Sequence, residues 1–283
     1  MIGRIYKAHS DSYSVKCNGV IYKCRARGVL RIKSDGLSVG DFVEIEKNTI
    51  VKVLERKNHF IRPNVSNVDL IVAVVSPEPK PDFYLIDKLL ISAYKENVDF
   101  ILVVNKTDVD AKLINKIHEE YEKLDLKILS VCAKNGDGIE ELKSILRGKI
   151  SVLAGQSAAG KTSIVNALFG LELKTGELSE KTARGKHTTT RSEIFEYEDI
   201  KLIDSPGFAV IDAFVEAEEL AEYYPEYFEV SSECRFRGCN HVNEPDCKVK
   251  ELVKNGKLSS SRYLRYIEIY NDLNKRRDIY EKD

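Results

Sequence analysis

Residues 155–162 of this chain, GQSAAGKT, have the composition of a phosphate-binding loop. They match the pattern G-x-x-x-x-G-K-[S/T] and lie between a predicted strand at 151–154 and a predicted helix, Lys161–Phe169. In such a loop the glycines let backbone N–H groups surround the phosphates, with a helix N-terminus behind them. Lys161 would reach the outer phosphates, and the Thr162 hydroxyl would contact Mg²⁺. The pattern predicts a nucleoside triphosphate site, and the flanking elements argue against a chance glycine-rich turn.

Two segments upstream of this loop indicate which base the nucleotide carries. Residues 105–108 (NKTD) resemble the guanine-specificity motif of GTPases, in which the aspartate, here Asp108, accepts from N1–H and the 2-amino group of guanine. Adenine lacks this pair of donors and would leave the carboxylate unmatched. Residues 130–134 (SVCAK) resemble the second base-contacting loop. NKTD alone is a weak signal, because a helix start capped by aspartate has the same composition, but it gains force from the phosphate loop.

Two segments downstream of the phosphate loop resemble the switches of GTPases. Residues 204–207 (DSPG) resemble the D-x-x-G motif, whose aspartate holds Mg²⁺ through water and whose glycine senses the γ-phosphate. Residues 185–190 (GKHTTT) match the first switch, in which a threonine, here Thr188, contacts Mg²⁺ in the triphosphate state. The predicted nucleotide-binding residues are Asn105, Lys106, Thr107, Asp108, Ser130, Ala133, Lys134, Gly155, Gln156, Ser157, Ala158, Ala159, Gly160, Lys161, Thr162, Ser163, Thr188, Asp204 and Gly207.

The group that orients the attacking water differs from that of many GTPases. Many GTPases place a glutamine directly after D-x-x-G, but this chain has Phe208 there. His187, in the first switch segment, is the best substitute, because its imidazole can orient water or accept its proton. A surface histidine without a catalytic role is the alternative. With no preorganised glutamine, unstimulated hydrolysis is expected to be slow, on the order of 10⁻⁴ s⁻¹.

The order of these segments along the chain is informative. Ordinary GTPases have the phosphate loop first, then the switches, then the base-specificity loops. Here the base-specificity loops precede the phosphate loop, and the switches come last. A circularly permuted chain can build the same sheet, because the termini of a domain tend to be close together. The order therefore predicts a circularly permuted P-loop GTPase domain.

A cluster of cysteines and a histidine near the C-terminus has the spacing C-x4-C-x-H-x5-C. Three thiolates and one imidazole suit a closed tetrahedral zinc site with a structural role. Four unrelated buried or polar residues are the alternative, which so dense a cluster argues against. Cys17, Cys24 and Cys132 are predicted to be packing residues. The predicted zinc ligands are Cys234, Cys239, His241 and Cys247.

The N-terminal region, residues 1–62, has the pattern of a small β-barrel. Short alternating segments are separated by turn signals such as Asn18-Gly19, which predict hairpins. The region holds 13 lysines and arginines against six acidic residues, an excess of +7, whereas the whole chain has a net charge of −1. A basic barrel of this kind resembles an OB-fold that binds RNA or single strands. A solvated basic face without a ligand is the alternative.

Residues 63–214 alternate strand and helix patterns, which predicts a mostly parallel sheet covered on both faces. Residues 215–283 contain the metal-ligand cluster and an amphipathic helix, and we expect a helical zinc-binding domain there. The predicted strands of the central region are Leu70–Val75, 100–104, 127–131, 151–154 and 200–203. Its predicted helices are Phe83–Lys95, 110–124, 138–146 and Lys161–Phe169.

Composition is consistent with a multidomain α/β protein. The chain has 283 residues, of which 43% are hydrophobic and 31% charged, so buried cores are feasible. The apolar stretches are far shorter than a membrane span, and no apolar signal segment follows Arg4 and Lys7. We expect a soluble, cytoplasmic monomer with no membrane partner. Six cysteines then indicate metal or free thiols rather than disulfides.

A basic barrel, a permuted GTPase domain and a C-x4-C-x-H-x5-C cluster together resemble the ribosome small-subunit-dependent GTPase A family across nearly the whole chain. The resemblance implies a bacterial GTPase that binds the small ribosomal subunit late in its assembly, with hydrolysis stimulated by the subunit. It also implies contact with ribosomal RNA through the barrel and zinc domains, and a catalytic role for His187. One departure is the pair Ala158-Ala159, where this family often has Gly-Val.

Two other classes of function stay open at this stage. One is a GTP-gated assembly factor for the large ribosomal subunit, which the barrel and the zinc cluster argue against. The other is a non-catalytic RNA-binding protein that holds GTP only as a structural ligand. Hydrolysis measured with each ribosomal subunit separates these classes.

Overall fold

The computed structural model of the chain describes residues 1–28, 30, 36–61, 63–171, 192–204 and 215–280, with the backbone alone at 204 and 276–280. The strands are β1 Ile2–Ala8, β2 Tyr13–Cys17, β3 Val20–Ala26, β4 Phe42–Glu46, β5 Thr49–Val53, β6 His59–Phe60, β7 Val65–Ser66, β8 Leu70–Val75, β9 Asp99–Val104, β10 Lys127–Ser130, β11 Ile150–Ala154, β12 Glu193–Tyr197 and β13 Ile200–Asp204. The helices are α1 Phe83–Lys95, α2 Leu113–Glu120, α3 Ile139–Leu146, α4 Lys161–Phe169, α5 Pro225–Phe228, α6 Lys248–Lys254 and α7 Ser260–Tyr280, with 3-10 turns at Ala217–Tyr223 and Ser231–Glu233.

The first five strands close into a barrel in the order β1-β2-β3-β5-β4, with β4 returning to pair with β1. Alternate residues of these strands are buried, as the burial pattern of β4 illustrates, because successive side chains point to opposite faces. The turn between β2 and β3 has Asn18 at φ 47° and Gly19 at φ 82°, the positive values that a two-residue hairpin turn requires. The predicted OB-type barrel is confirmed.

Five parallel strands form the centre of the second region, in the order β10-β9-β8-β11-β13. All six residues of β8 are buried, because helices and neighbouring strands cover both faces of the sheet. Since the strands are parallel, the segments that follow β8, β9, β10 and β11 all leave the sheet at the same edge. This edge is where the predicted base and phosphate loops lie, so the permuted order still assembles one site.

One antiparallel strand joins the barrel to this sheet. β12 pairs with β13 on one side and with β1 on the other, where Lys7 lies opposite Glu193. The Lys7 ammonium donates to Glu193 at 2.5 Å, and Lys16 and Tyr6 both donate to Glu196. Burial opposes the charge on Glu196, but these hydrogen bonds lower its pKa. Part of the basic charge of the barrel therefore holds the two regions together.

The C-terminal region has a small core of its own. Tyr224, Tyr227 and Tyr266 are fully buried and pack with ring centroids 4.9–5.2 Å apart, edge-on or stacked. Ile91 of α1 belongs to the same apolar cluster, so the region docks against the central one. Within the described part of the chain, no helix is both long and apolar enough to cross a bilayer.

Candidate nucleotide and metal sites

Asn105 connects the three loops that meet at the carboxyl edge of the parallel sheet. Its side chain is 1% exposed and follows β9 directly. The amide Nδ2 donates to the carbonyl of Ala159 in the phosphate loop at 3.0 Å, and Oδ1 accepts from the Ala133 N–H in the 130–134 loop at 3.2 Å. Its backbone N–H donates to Val75 at the end of β8 at 2.8 Å. One buried amide thus fixes the phosphate loop relative to the base-specificity loops.

Two glycines of the phosphate loop are required by close approach as well as by conformation. Gly155 has φ 125°, and a Cβ atom on it would lie 2.2 Å from the Val74 carbonyl oxygen. Gly160 has φ 96°, and a Cβ atom there would lie 2.2 Å from Nδ2 of Asn105. Such contacts are too short to form, and positive φ values strain any side chain. Gly155 therefore lets the phosphate loop approach the backbone of β8, and Gly160 lets it pack against the Asn105 amide.

Two lysines lie along the phosphate loop. Lys161 is the first residue of α4, and its ammonium donates to the carbonyls of Gly155 and Gln156, both at 2.7 Å. Burial lowers the pKa of Lys161, as expected for a cation held inside a loop rather than in solvent. Lys106 donates to the carbonyl of Ala158 at 2.9 Å. The loop thus already surrounds a positive charge where an anion would bind.

Asp108 lies in the loop after β9 with its side chain 34% exposed, so its carboxylate is accessible to a base. The Lys134 ammonium lies 3.6 Å from one carboxylate oxygen, and the Cys132 thiol donates to the other at 3.4 Å. Cys132 is predicted to be a packing residue. However, β10 ends at Ser130, and Cys132, 1% exposed, lies in the loop against Asp108.

The remaining predicted site residues lie on the same loops, on α4 or at the end of β13 wherever the structure describes them. Ser130 is exposed at the end of β10, and its carbonyl would lie 2.2 Å from a Cβ atom on Gly138. The Thr107 hydroxyl donates to the Val131 carbonyl at 3.3 Å. Ser157, Ala158, Thr162 and Ser163 lie on the phosphate loop or the first turn of α4. The backbone of Asp204 ends β13, which pairs with β11, the strand that leads into the phosphate loop. His187, Thr188 and Gly207 lie outside the described residues.

Replacing Gly160 with alanine is expected to weaken nucleotide binding by about tenfold or more, roughly the 1–3 kcal/mol cost of a strained contact. The added methyl group would force Asn105 away from the phosphate loop. Gly170→Ala is the matched control, because Gly170 caps the other end of α4 at φ 62° but a Cβ atom there meets nothing within 4 Å. Titration with a fluorescent GDP analogue compares the two variants. Equal affinities would refute the role given to this close approach.

The cysteine and histidine cluster is assembled in the C-terminal region. The ligand atoms of Cys234, Cys239, His241 and Cys247 all lie within 4.8 Å of one another. The Sγ atoms of Cys234 and Cys247 are 4.0 Å apart, and Nδ1 of His241 lies 3.7 and 3.3 Å from them. Tetrahedral zinc needs S···S distances of about 3.8 Å and S···N distances of about 3.5 Å. The donor set and spacing fit one zinc ion, held through Nδ1.

The loop that carries these ligands is fixed from outside the cluster. The hydroxyl groups of Tyr263 and Tyr266, on α7, donate to the carbonyls of His241 and Asn240, both at 2.7 Å. The Glu244 carboxylate accepts backbone N–H groups of residues 240, 242 and 243 at 2.8–3.1 Å. Burial opposes the Glu244 charge, but these bonds lower its pKa. Such outer contacts orient metal ligands and are typical of a metal centre.

Without a metal ion, burial favours the uncharged forms of the cluster's side chains. Burial raises the pKa of the Cys239 thiol to about 12, and Cys247 and Cys234 beside it add to the effect. Burial lowers the pKa of His241, so its imidazole is neutral. Packing three sulfur atoms together as thiolates requires a nearby positive charge, which a divalent metal supplies.

Solved structures share the fold over almost the whole chain. The structure described as YjeQ from Thermotoga maritima has a TM-score of 0.81 and 35% identity, covering 96% of this chain and 98% of the other. That of YloQ, described as a circularly permuted GTPase, has a TM-score of 0.76 and 28% identity, covering 97% and 95%. The fold and the order of loops define this chain as a circularly permuted GTPase.

Sequence comparisons place the chain within this class. Residues 53–214 match the family model described as RsgA GTPase, and residues 2–51 match the RsgA N-terminal domain. The chain is 39% identical to the small ribosomal subunit biogenesis GTPase RsgA of Thermotoga petrophila, covering 97% of each protein, and 38% identical to that of a Geobacillus species. The chain belongs to the RsgA GTPase family, whose members are GTP-hydrolysing enzymes.

Proposed function

We propose that this chain binds GTP at the carboxyl edge of its parallel sheet, hydrolyses it, and acts as an assembly factor of the small ribosomal subunit. The observation that carries the proposal is the amide of Asn105, which binds both the phosphate loop and the 130–134 loop and so assembles a site from segments that are far apart in the chain. The relatives named above are small ribosomal subunit biogenesis GTPases, and they match this chain along nearly their full length. This match supports the same role here.

Recognition of the nucleotide is divided between the two kinds of loop. The Asp108 carboxylate would accept from N1–H and the 2-amino group of guanine, with Lys134 beside it. The backbone N–H groups of residues 155–162 and the Lys161 ammonium would hold the phosphates. Gly207 would sense the γ-phosphate. Adenine offers no donor pair to Asp108, so discrimination follows from an unpaired carboxylate.

Two metal ions belong to the proposal. Zn²⁺ would be held by the Cys234, Cys239, His241 and Cys247 cluster, where it stabilises the C-terminal fold. Mg²⁺ would be held with GTP by the hydroxyls of Thr162 and Thr188 and, through water, by Asp204. Hard oxygen donors suit this ion. Thr162 lies in the first turn of α4, and Asp204 ends β13, the strand that pairs with β11 directly before the phosphate loop. Mg²⁺ supplies charge neutralisation between the outer phosphates.

His187 is proposed as the catalytic residue that orients the attacking water, since the residue after D-x-x-G is Phe208. Attack on the γ-phosphate depends mostly on positioning and charge stabilisation, so one imidazole in the right place has a large effect. The subunit would stimulate hydrolysis by positioning His187 against the attacking water. We propose that this occurs late in maturation of the subunit.

The barrel is the proposed contact with ribosomal RNA. Lys23 and Arg25 lie on the outer face of β3, and Arg27 follows directly after the strand; all three are exposed. Exposed cations on the third strand fall on the surface, formed by the second and third strands, by which OB-fold barrels hold oligonucleotides. Other basic residues of the barrel, such as Lys7, already pair with the central region. We propose that the protein acts as a monomer in the cytoplasm.

One experiment tests both the partner and the catalytic residue. GTP hydrolysis by the wild-type protein is measured alone, with the small subunit and with the large subunit, and only the small subunit is expected to stimulate it. His187→Ala should bind GTP with unchanged affinity but lose at least about 100-fold of the stimulated rate, within the range for general base catalysis. His118→Ala, on the exposed side of α2, is the control. Normal stimulated turnover in His187→Ala would exclude its catalytic role.

A further inference from the structure

Helix α1 lies between the central sheet and the C-terminal region and has a separate face for each. Tyr84, Asp87 and Ile91 are spaced three and four residues apart and share the face toward the C-terminal region. The Tyr84 hydroxyl donates to Asp272 of α7 at 2.7 Å, and Ile91 packs in the C-terminal apolar cluster. The residues of α1 that pack into the core of the central region are Ile86, Leu89, Leu90 and Ala93.

Asp87 is held between two arginines of α7, and we call these three residues the arginine clamp. Asp87 is fully buried, and Arg262 donates from Nη1 to its Oδ1 while Arg265 donates from Nε to its Oδ2. Burial disfavours the charge on Arg262, yet Asp87 and Glu226 on either side raise its pKa well above the ordinary value. Because a buried charge without its partner is strongly unfavourable, the clamp fixes α1 and α7 to each other.

The N-terminal end of α1 contacts the phosphate loop. Asp82 caps the helix, and its backbone N–H donates to Oε1 of Gln156 at 3.0 Å. The Lys106 ammonium lies between the Glu78 carbonyl at 2.5 Å and the Ala158 carbonyl at 2.9 Å. The segment before α1 is therefore joined to the phosphate loop at two points. Asp87 lies five positions after Asp82, about 7.5 Å along the helix axis.

We propose that α1 couples the phosphate loop to the C-terminal region: the arginine clamp sets the position of α1 and, through Asp82, of Gln156. Asp87 is then a positioning residue for the nucleotide site, although it lies outside that site. Since coupling between sites is reciprocal, nucleotide binding strengthens the docking of α7 by the same factor. The contacts of this route all lie within the described residues and do not involve the 205–214 segment. The inference rests on the proposed GTP site.

A double-mutant cycle with Asp87→Asn and Gln156→Ala tests the route, with the affinity for a fluorescent GDP analogue as the readout. Each single variant is expected to bind GDP at least about fivefold more weakly. The double variant is expected to be no weaker than the weaker single variant, because both changes break one path. If the losses of GDP affinity of the two single variants multiply in the double variant, the proposed coupling is wrong. If Asp87→Asn does not fold, Arg265→Gln takes its place in the cycle.

Glu120→Gln is the matched control for the cycle. Glu120 accepts from Arg265 at 2.8 Å across the same interface, but it lies on α2 rather than α1. Its substitution is expected to change GDP affinity by less than twofold, and a loss as large as that of Asp87→Asn would overturn the special role of α1. The assay needs neither hydrolysis nor ribosomal subunits. Absence of GDP binding by the wild-type protein would refute the proposed function itself. Tight GDP binding by the wild-type protein, with losses of affinity that multiply in the double variant, would refute only the coupling.

Hydrogen exchange tests the coupling in the opposite direction, from the nucleotide site to α7. Saturating GDP is expected to slow amide exchange in α7 of the wild-type protein, because the phosphate loop then holds α1 more firmly. The same GDP saturation should give no such protection in Gln156→Ala. Exchange in α7 that is insensitive to GDP in the wild-type protein would overturn the proposal.

Discussion

Replacing Cys239 with serine is expected to release the metal and to unfold the C-terminal region, the largest stability effect of any single change considered for this protein. Zinc binding contributes about 10–16 kcal/mol to the folding of small zinc modules. An apolar core of this size contributes only about 3–5 kcal/mol. Cys239 is 8% exposed, so its loss also leaves a hydroxyl buried among two sulfur atoms. Without the ion, the remaining core should not hold the fold.

Metal content by atomic absorption and the far-ultraviolet circular dichroism of the purified variant test this expectation. Cys17→Ser is the matched control, since Cys17 is 3% exposed but lies in the barrel, away from the cluster. It should keep one zinc ion per chain and lose only the modest stability expected for a buried polar substitution. If Cys239→Ser retained a full zinc equivalent, the proposed ligand set would be wrong.

Replacing Lys161 with alanine is expected to lower nucleotide affinity at least about 100-fold. The Lys161 ammonium is held inside the phosphate loop by two carbonyl groups at 2.7 Å, where it would meet the outer phosphates. Hydrogen bonds to charged groups contribute about 1.5–3 kcal/mol each, so the loss of the ammonium should cost about 3 kcal/mol or more. The fold should persist, because the side chain is only partly buried.

Equilibrium titration with labelled GDP and GTP measures this loss. Lys149→Ala is the control, because it removes the same charge near the beginning of β11, where Lys149 pairs with Asp99 at 3.0 Å. Its nucleotide affinity should equal that of the wild-type protein, since it lies at the opposite end of that strand from the phosphate loop. An unchanged affinity in Lys161→Ala would remove the basis for assigning residues 155–162 to phosphates.

Features fixed by local sequence could be predicted. The phosphate loop, the NKTD segment and the metal-ligand spacing each require particular residue types at short separations, and α1 and α4 have the bounds that apolar periodicity and their caps predict. The strand at 70–75 is likewise marked by a continuous hydrophobic run, and the strand predicted at 151–154 is observed at 150–154. The predicted fold class is confirmed, whereas the bounds of the three regions, 1–62, 63–214 and 215–283, stay predictions.

Features that depend on distant pairings could not be predicted. β1 and β12 are absent from the sequence analysis, and their contact joins residues nearly two hundred positions apart. Asp87 has the sequence signature of a solvated helix residue, and only the fold buries it against Arg262 and Arg265. Cys132 lies against Asp108 because β10 ends earlier than its apolar pattern indicates. In each case the partner comes from another element, which local periodicity does not encode.

The most direct test of the guanine pocket is competition between nucleotides for the wild-type protein. GTP and ATP are titrated against bound fluorescent GDP at the same Mg²⁺ concentration. If Asp108 pairs with the base while residues 155–162 hold the phosphates, ATP should compete on the order of 10⁴-fold less well than GTP. Displacement of the label by ATP and GTP at equal concentrations would contradict the account, because the pocket would then be indifferent to the donors that distinguish guanine.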